Sequence, residues 1–298
     1  MEGCIYLADQ IALGIEALTK PLLNEAELFV VAARAHADGA AGRIKILRLP
    51  KEYDYSQFRR TMRQLEKRHI VAVDSEFRSG IWQNLAVAPA ATAEDAFCLV
   101  DPYAHVSFLS AMQRHGLTDR SPSELQMTTL PDALWRQKQM TDFAGDFPED
   151  LRDEQVPSPR RIGLRKTLRG RAIDLHRSKA PRDIIAIRGS YARITSIGST
   201  FVDMLAEPEK CGGMRHVIEC FEHSFMDHAD EIIESVTKFG SSITKVRAGH
   251  IIDECLGVTS SLVDEWVAFA QRGGSRLLDP KKPYGAKWSE KWMIAINV

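Results

Sequence analysis

Residues 194–214, ITSIGSTFVDMLAEPEKCGGM, constrain this chain more than any other stretch. They read as a short strand, an abrupt helix start, one helix, and then a Pro and Gly-Gly break. Ser196 is placed to cap the helix, because a serine hydroxyl accepts a hydrogen bond from an unpaired first-turn N–H. Ile197, Phe201 and Leu205 fall at helical spacing on one face, and Pro208 halts the run. By itself this is a core helix with firm ends; with the helices and closing strands that follow it, an α+β domain is expected.

The N-terminal third has the order of a winged helix-turn-helix. Residues 6–18 and 25–36 read as helices separated by Pro21 and an Asn24 cap. Ile44, Ile46 and Leu49 suggest a short strand closed by Pro50. In the next helix, over 55–69, Asp54 and Gln57 have capping-box spacing. Phe58, Met62 and Leu65 form one apolar stripe, while Arg59, Arg60, Arg63, Gln64 and Lys67 occupy the other faces. Residues 70–73 and 81–87 then read as a hairpin whose tip carries Arg78. Such a helix can enter the major groove, where Arg bridges the two acceptors of guanine and Gln pairs with adenine. Arg59, Arg60, Arg63, Gln64, Lys67 and Arg78 are therefore the expected DNA contacts. The plainer reading is a solvated, salt-laced helix held to a core by its stripe. The gap between Ala37 and Asp54 is also longer than the turn of an ordinary helix-turn-helix.

Overall charge does not advertise a nucleic-acid partner, since the 298 residues carry a net charge of −1. The average conceals an asymmetry. Asp142, Asp146, Glu149, Asp150, Asp153 and Glu154 oppose only Arg152, and Arg160, Arg161, Arg165, Lys166, Arg169 and Arg171 follow with no acid before Asp174. Adjacent blocks of opposite sign suit either a solvated connection or contact with phosphates or an acidic protein. Hydrophobic content of 44% and charged content of 27% are ordinary for a globular chain. No run approaches the ~18 apolar residues of a membrane helix, and no signal peptide is evident. The five cysteines are odd in number with no disulfide-like spacing, so a cytoplasmic location is expected.

Catalytic signatures are weak. Gly189-Ser190-Tyr191-Ala192-Arg193 has the look of a phosphate-gripping turn of minimal nucleotidyltransferases, but that chemistry needs two carboxylates two residues apart on a strand to hold Mg²⁺. Only Asp203 follows, between Phe201 and Leu205, and on a helix. Gly163-Leu-Arg-Lys-Thr lacks the upstream glycine of a phosphate loop. His216, Cys220, His223 and Asp227 share a helical stripe that zinc would accept, although the stripe reads most simply as a solvent face. His115, before Gly116, suits a helix C-terminus, where a cation favours the dipole. No catalytic residue, metal or cofactor is expected.

The wording of 194–214 resembles the AbiEi family, the antitoxin half of abortive-infection toxin–antitoxin pairs. Thr195, Ser196, Thr200, Asp203, Pro208, Gly212 and Gly213 match its pattern, while Ser199 stands where the family often carries a basic residue. Residues 101–130 are similar to the family's helix ending in His-Gly-Leu-Thr. Leu278-Asp279-Pro280 and the run from Lys291 to Asn297 look like its closing strands. The resemblance implies a non-enzymatic antitoxin that neutralises a nucleotidyltransferase toxin and represses its own operon by binding an inverted repeat in promoter DNA. The expected organisation is a winged helix-turn-helix domain over 1–90 and an AbiEi-like domain over 91–298. In the second, a small sheet from 125–130, 182–195 and the C-terminus packs on helices at 214–225, 230–239, 243–256 and 261–271. Repression is expected from 1–90 and protection from 95–298. Two other readings stay open: a winged-helix regulator that senses a ligand or partner without a toxin, and a nucleotidyltransferase-like enzyme.

Overall fold

The computed structural model of the chain describes residues 5–78, 80–146, 160, 161, 163, 167–271 and 276–298. In chain order the elements begin with β1 (Ile5–Tyr6), α1 (Leu7–Glu16), β2 (Leu22–Asn24), α2 (Glu25–Ala40), β3 (Ile46–Leu47) and α3 (Tyr55–Lys67). Next come β4 (Val71–Val73), β5 (Ile81–Asn84), α4 (Ala93–Val100), β6 (His105–Val106), α5 (Phe108–Arg114), β7 (Leu125–Thr129) and α6 (Asp132–Asp146). After them run β8 (Thr167–Leu168), β9 (Arg171–Arg177), β10 (Ile184–Ala186), β11 (Arg193–Thr195), α7 (Ile197–Ala206) and α8 (Met214–Phe239). The chain closes with α9 (Ser242–Gly249), α10 (Ser261–Asp264), β12 (Lys287–Ser289) and β13 (Ile294–Ile296). The architecture is mixed α+β with small sheets. It divides into two compact units, residues 1–104 with 130–172, and residues 105–129 with 173–298. The expected joint at residues 90 and 91 lies inside the first unit, where Ala90 is buried.

In the first unit, Asn24 ends β2 and starts α2 with a complete capping box. Its side chain accepts from Glu27 N at 2.9 Å, and Glu27 Oε2 accepts from Asn24 N at 2.7 Å. Both bonds satisfy first-turn donors that the helix itself leaves unpaired. β5 pairs antiparallel with β2 on one side and β4 on the other, in the order β2-β5-β4. Phe58, Met62 and Leu65 of α3 share one core with Phe29 of α2, Leu23 of β2, Val71 of β4 and Trp82 of β5. Asn84, at the end of β5, donates to the carbonyls of Ile15 and Leu18 at 3.0 Å each, and so ties the end of α1 to the sheet. The long connection between α2 and α3 has its own anchor, because β3 within it pairs in parallel with β1.

In the second unit the strands run in the order β10-β11-β6-β7-β9. The C-terminus does not join them: β12 and β13 form a separate antiparallel pair, and Leu277 adds one parallel bridge to Ala295. The sheet is completed instead by β6 and β9, elements too short or too polar to announce themselves. α7 is buried along its whole body, not on one face, from Gly198 to Leu205. Its neighbour α8 crosses it so closely that a Cβ on Gly198 would lie 2.4 Å from the Glu231 carbonyl oxygen. The two helices expected at 214–225 and 230–239 run together as α8, with the break narrowed to His228 at φ −133°. Beyond α9, residues His250–Cys255 form a π-helical segment. Its extra residue per turn directs Asp253 and Glu254 to the closing strands, where they accept from Trp292 Nε1 at 3.1 Å and Ser289 Oγ at 2.8 Å.

Candidate nucleic-acid interface

α3 begins at Asp54, whose side chain accepts from Gln57 N at 2.8 Å. That bond, with help from the Ser56 hydroxyl, holds the Asp54 carboxyl below its usual range. Gln57 does not return a bond, so the cap is half of the box its spacing suggests. With the Phe58, Met62 and Leu65 stripe buried, Arg59, Arg60, Arg63, Gln64 and Lys67 all face solvent. Arg59, Arg63 and Lys67 are four residues apart and form one row, and Arg60 and Gln64 form the next. Like charges at this spacing each cost ~0.2–0.5 kcal/mol of helix stability. Among the described residues only Arg59 of this row has an ion pair, with Glu25 at 3.3 Å. The only acid on α3 is Glu66. The arrangement can neutralise several phosphates and reach base edges.

The hairpin of β4 and β5 is fixed from beneath by a residue the sequence left without a role. Arg169 donates to Asp74 Oδ2 at 2.7 Å, to the Glu76 carboxylate, and from Nε to the Ala90 carbonyl at 3.0 Å. Its backbone N–H also donates to Glu76 at 2.9 Å. Burial pushes the Asp74 carboxyl up, but bonds from Arg169, Gln83 and the Glu76 N–H more than offset this and hold it low. Arg78 is exposed at the tip, and its backbone N–H donates to Gly163 O at 3.0 Å.

Of the described members of the basic block, Arg160 is exposed, while Arg161, Arg169 and Arg171 are half-buried and paired with acids. Arg161 pairs with Asp132 and lies 5.3 Å over the Trp135 ring, and Arg171 reaches Glu94 at 3.7 Å. Glu149, Asp150, Arg152, Asp153, Glu154, Arg165 and Lys166 lie outside the described residues. The connection before α3 adds exposed Lys45, Arg48 and Lys51, which carry no sequence signal beyond their charge.

The polar residues at the start and in the body of α7 are bonded to one another and to residues 182 and 183 of the second unit. Thr200 Oγ1 donates to the Ser196 carbonyl at 2.8 Å and lies 2.8 Å from Thr195 Oγ1. Ser199 Oγ accepts from Asp183 N at 2.9 Å. Asp203 is bonded by Arg182 Nε at 2.7 Å; burial pushes its carboxyl up to about 6 despite that partner. Gly189 turns β10 into β11 with φ +75°, and Ser190 Oγ accepts from Ala192 N at 3.0 Å.

Two readings of single side chains need correction. His216 and Cys220 are buried, not on a solvent face, while His223 and Asp227 are exposed. α8 is covered on more than one side, and Cys220 donates to the Leu117 carbonyl at 3.4 Å while Thr118 Oγ1 lies 3.0 Å from His216 Nε2. His115 does end α5, but burial lowers its pKa, and neutral Nε2–H donates to Thr195 O at 2.7 Å. It acts as a hydrogen-bond donor between segments, with no cationic role at the helix end. No group of three or more metal-ligand side chains is found among the described residues, and none of their helices is long and apolar enough to cross a membrane.

No family model matches the chain, and no curated protein matches it. Among solved structures, the RV2827C protein from Mycobacterium tuberculosis aligns at 10% sequence identity and a TM-score of 0.47, over 99% of this chain and 92% of that one.

Proposed function

We propose that the first unit is a winged helix that binds duplex DNA, with α3 in the major groove and the β4–β5 hairpin as its wing. The observation that carries this reading is the exposed row Arg59, Arg63 and Lys67 on a helix whose opposite face shares a core with the β2-β5-β4 sheet. A rigid support behind a basic, solvent-facing row is what groove entry requires, because base contacts tolerate little misplacement. Phosphate contacts by Lys67 and Arg78 fix register, and Arg63 and Gln64 reach base edges. Binding to an inverted repeat by two copies would place one α3 in each half-site.

We further propose that the protein is an AbiEi-like antitoxin that represses its own operon and counteracts a nucleotidyltransferase toxin. The support is the sequence pattern from Thr195 to Gly213, most of whose polar members hold α7 in place and so act through architecture. Co-expression with the neighbouring gene, scored for growth, tests this part. Rescue of growth by this chain supports the antitoxin. Operator binding without any rescue would leave a transcription regulator and contradict it.

A further inference from the structure

The second unit carries an exposed aromatic pair that neither function uses. Tyr284 and Trp288 are 55% and 39% exposed, and their rings stack with centroids 6.0 Å apart at 24°. Solvent-facing rings of this size, held together, are unusual on a surface with no partner. The segment that presents them is fixed. Asn297 Nδ2 donates to the carbonyls of Asp279, Lys282 and Pro283 at 2.9 to 3.1 Å, and its Oδ1 accepts from Asp279 N at 2.8 Å. Gly285 then passes so close to β13 that a Cβ there would sit 2.7 Å from the Ile296 carbonyl oxygen. Trp288 itself is held on β12 by pairing with Ala295.

The stretch holds three lysines against two acids, and Lys282 Nζ lies 3.9 Å from Asp279 Oδ2. Lys281, Lys282 and Lys287 are exposed in the same stretch, against Glu290 and an Asp279 whose carboxylate accepts from the Lys281 N–H. We propose that this patch binds single-stranded nucleic acid, with unpaired bases stacked on Trp288 and Tyr284 and backbone phosphates held by the lysines. Aromatic platforms beside cations bind single strands because every base has a π-face, whereas bases inside a duplex are already stacked on each other. A protein partner fits less well, since lysine is depleted at the centre of protein interfaces where aromatics are enriched. The rigid backbone means that little conformational freedom is lost on binding. The site lies in the second unit and does not depend on the duplex-binding reading of α3.

The test uses the full chain and labelled oligouridylate and oligothymidylate of about 12 nucleotides, within the range of such sites, followed by fluorescence anisotropy over a salt series. The expected result is salt-dependent binding that weakens about tenfold or more in Tyr284→Ala/Trp288→Ala. Tyr284→Phe/Trp288→Phe should keep most of it, and Lys281→Gln/Lys282→Gln/Lys287→Gln should flatten the salt dependence. The loss caused by Tyr284→Ala/Trp288→Ala should be of the same size in a chain that also carries Arg59→Ala/Arg63→Ala/Lys67→Ala, which separates this site from α3. Tighter binding of uridylate would identify RNA as the source, and equal or tighter thymidylate DNA. No binding at low salt, or unchanged affinity in a folded Tyr284→Ala/Trp288→Ala chain, would overturn the proposal. So would a loss of self-association in that variant without loss of oligonucleotide affinity, which would make the patch an interface between copies.

Discussion

Asp203 shows how a polar residue that stands out in the sequence can serve the fold. It lies on a fully buried helix, its carboxylate pinned by Arg182 at 2.7 Å, and burial pushes its pKa up to about 6. A carboxyl whose pKa rises on folding contributes stability below its unfolded value, and that contribution is lost as pH rises through the folded value. We therefore expect the difference in unfolding free energy between wild type and Asp203→Asn to shift between about pH 4 and pH 6 and to level off above. Chemical denaturation across that window measures it, and a pH-independent difference would contradict the assignment. His115 acts with the opposite sign. Its pKa is lowered by burial, so its contribution is present above the usual histidine value and is lost as pH falls through the folded one. His115→Gln should remove that loss while keeping a donor for Thr195 O, a change readable in the same titration.

At the scale of elements, the β4–β5 hairpin depends on one side chain far away in sequence. Arg169 supplies the counter-charge for Asp74, whose side chain is only 1% exposed. Arg169→Met should destabilise the chain by about 3 kcal/mol, since breaking a buried pair from one side leaves the other charge unmatched. It should also raise hydrogen exchange in the β4–β5 hairpin before it does so in α3. Equal protection of the hairpin in the variant would show that Arg169 is not its anchor. The helix starts at Asn24, Asp54 and Ser196 were legible in sequence because capping needs a specific side chain at a specific offset. So was the α3 stripe, whose 3.6-residue period has one solution. β2 was not, being three residues beside a proline with no alternation to read. Nor was the role of Arg169, because a basic block looks the same whether it meets solvent or the buried acid of a turn. The His216 and Cys220 stripe misled for a related reason: periodicity finds the most apolar face of α8, but a helix covered on several sides buries polar faces as well.

For the molecule as a whole, the account separates two activities in one chain. The first unit gathers residues 130–172 with 1–104, so cutting at residue 90 would divide it, and point variants of the full chain are the cleaner probe. A chain with Arg59→Ala, Arg63→Ala and Lys67→Ala should lose repression of a promoter reporter while still rescuing growth beside the toxin gene. Loss of both together in a folded chain would contradict the separation. The claim on which the rest depends is that α3 reads DNA, and binding of the duplex upstream of this protein's own operon tests it most directly. The wild-type chain should bind that duplex with strong salt dependence, and Arg63→Ala alone should cost ~1–3 kcal/mol at one base position. The triple variant, folded by circular dichroism, should lose specific binding and show a shallower salt slope. Promoter affinity unchanged in that folded triple variant would contradict the account.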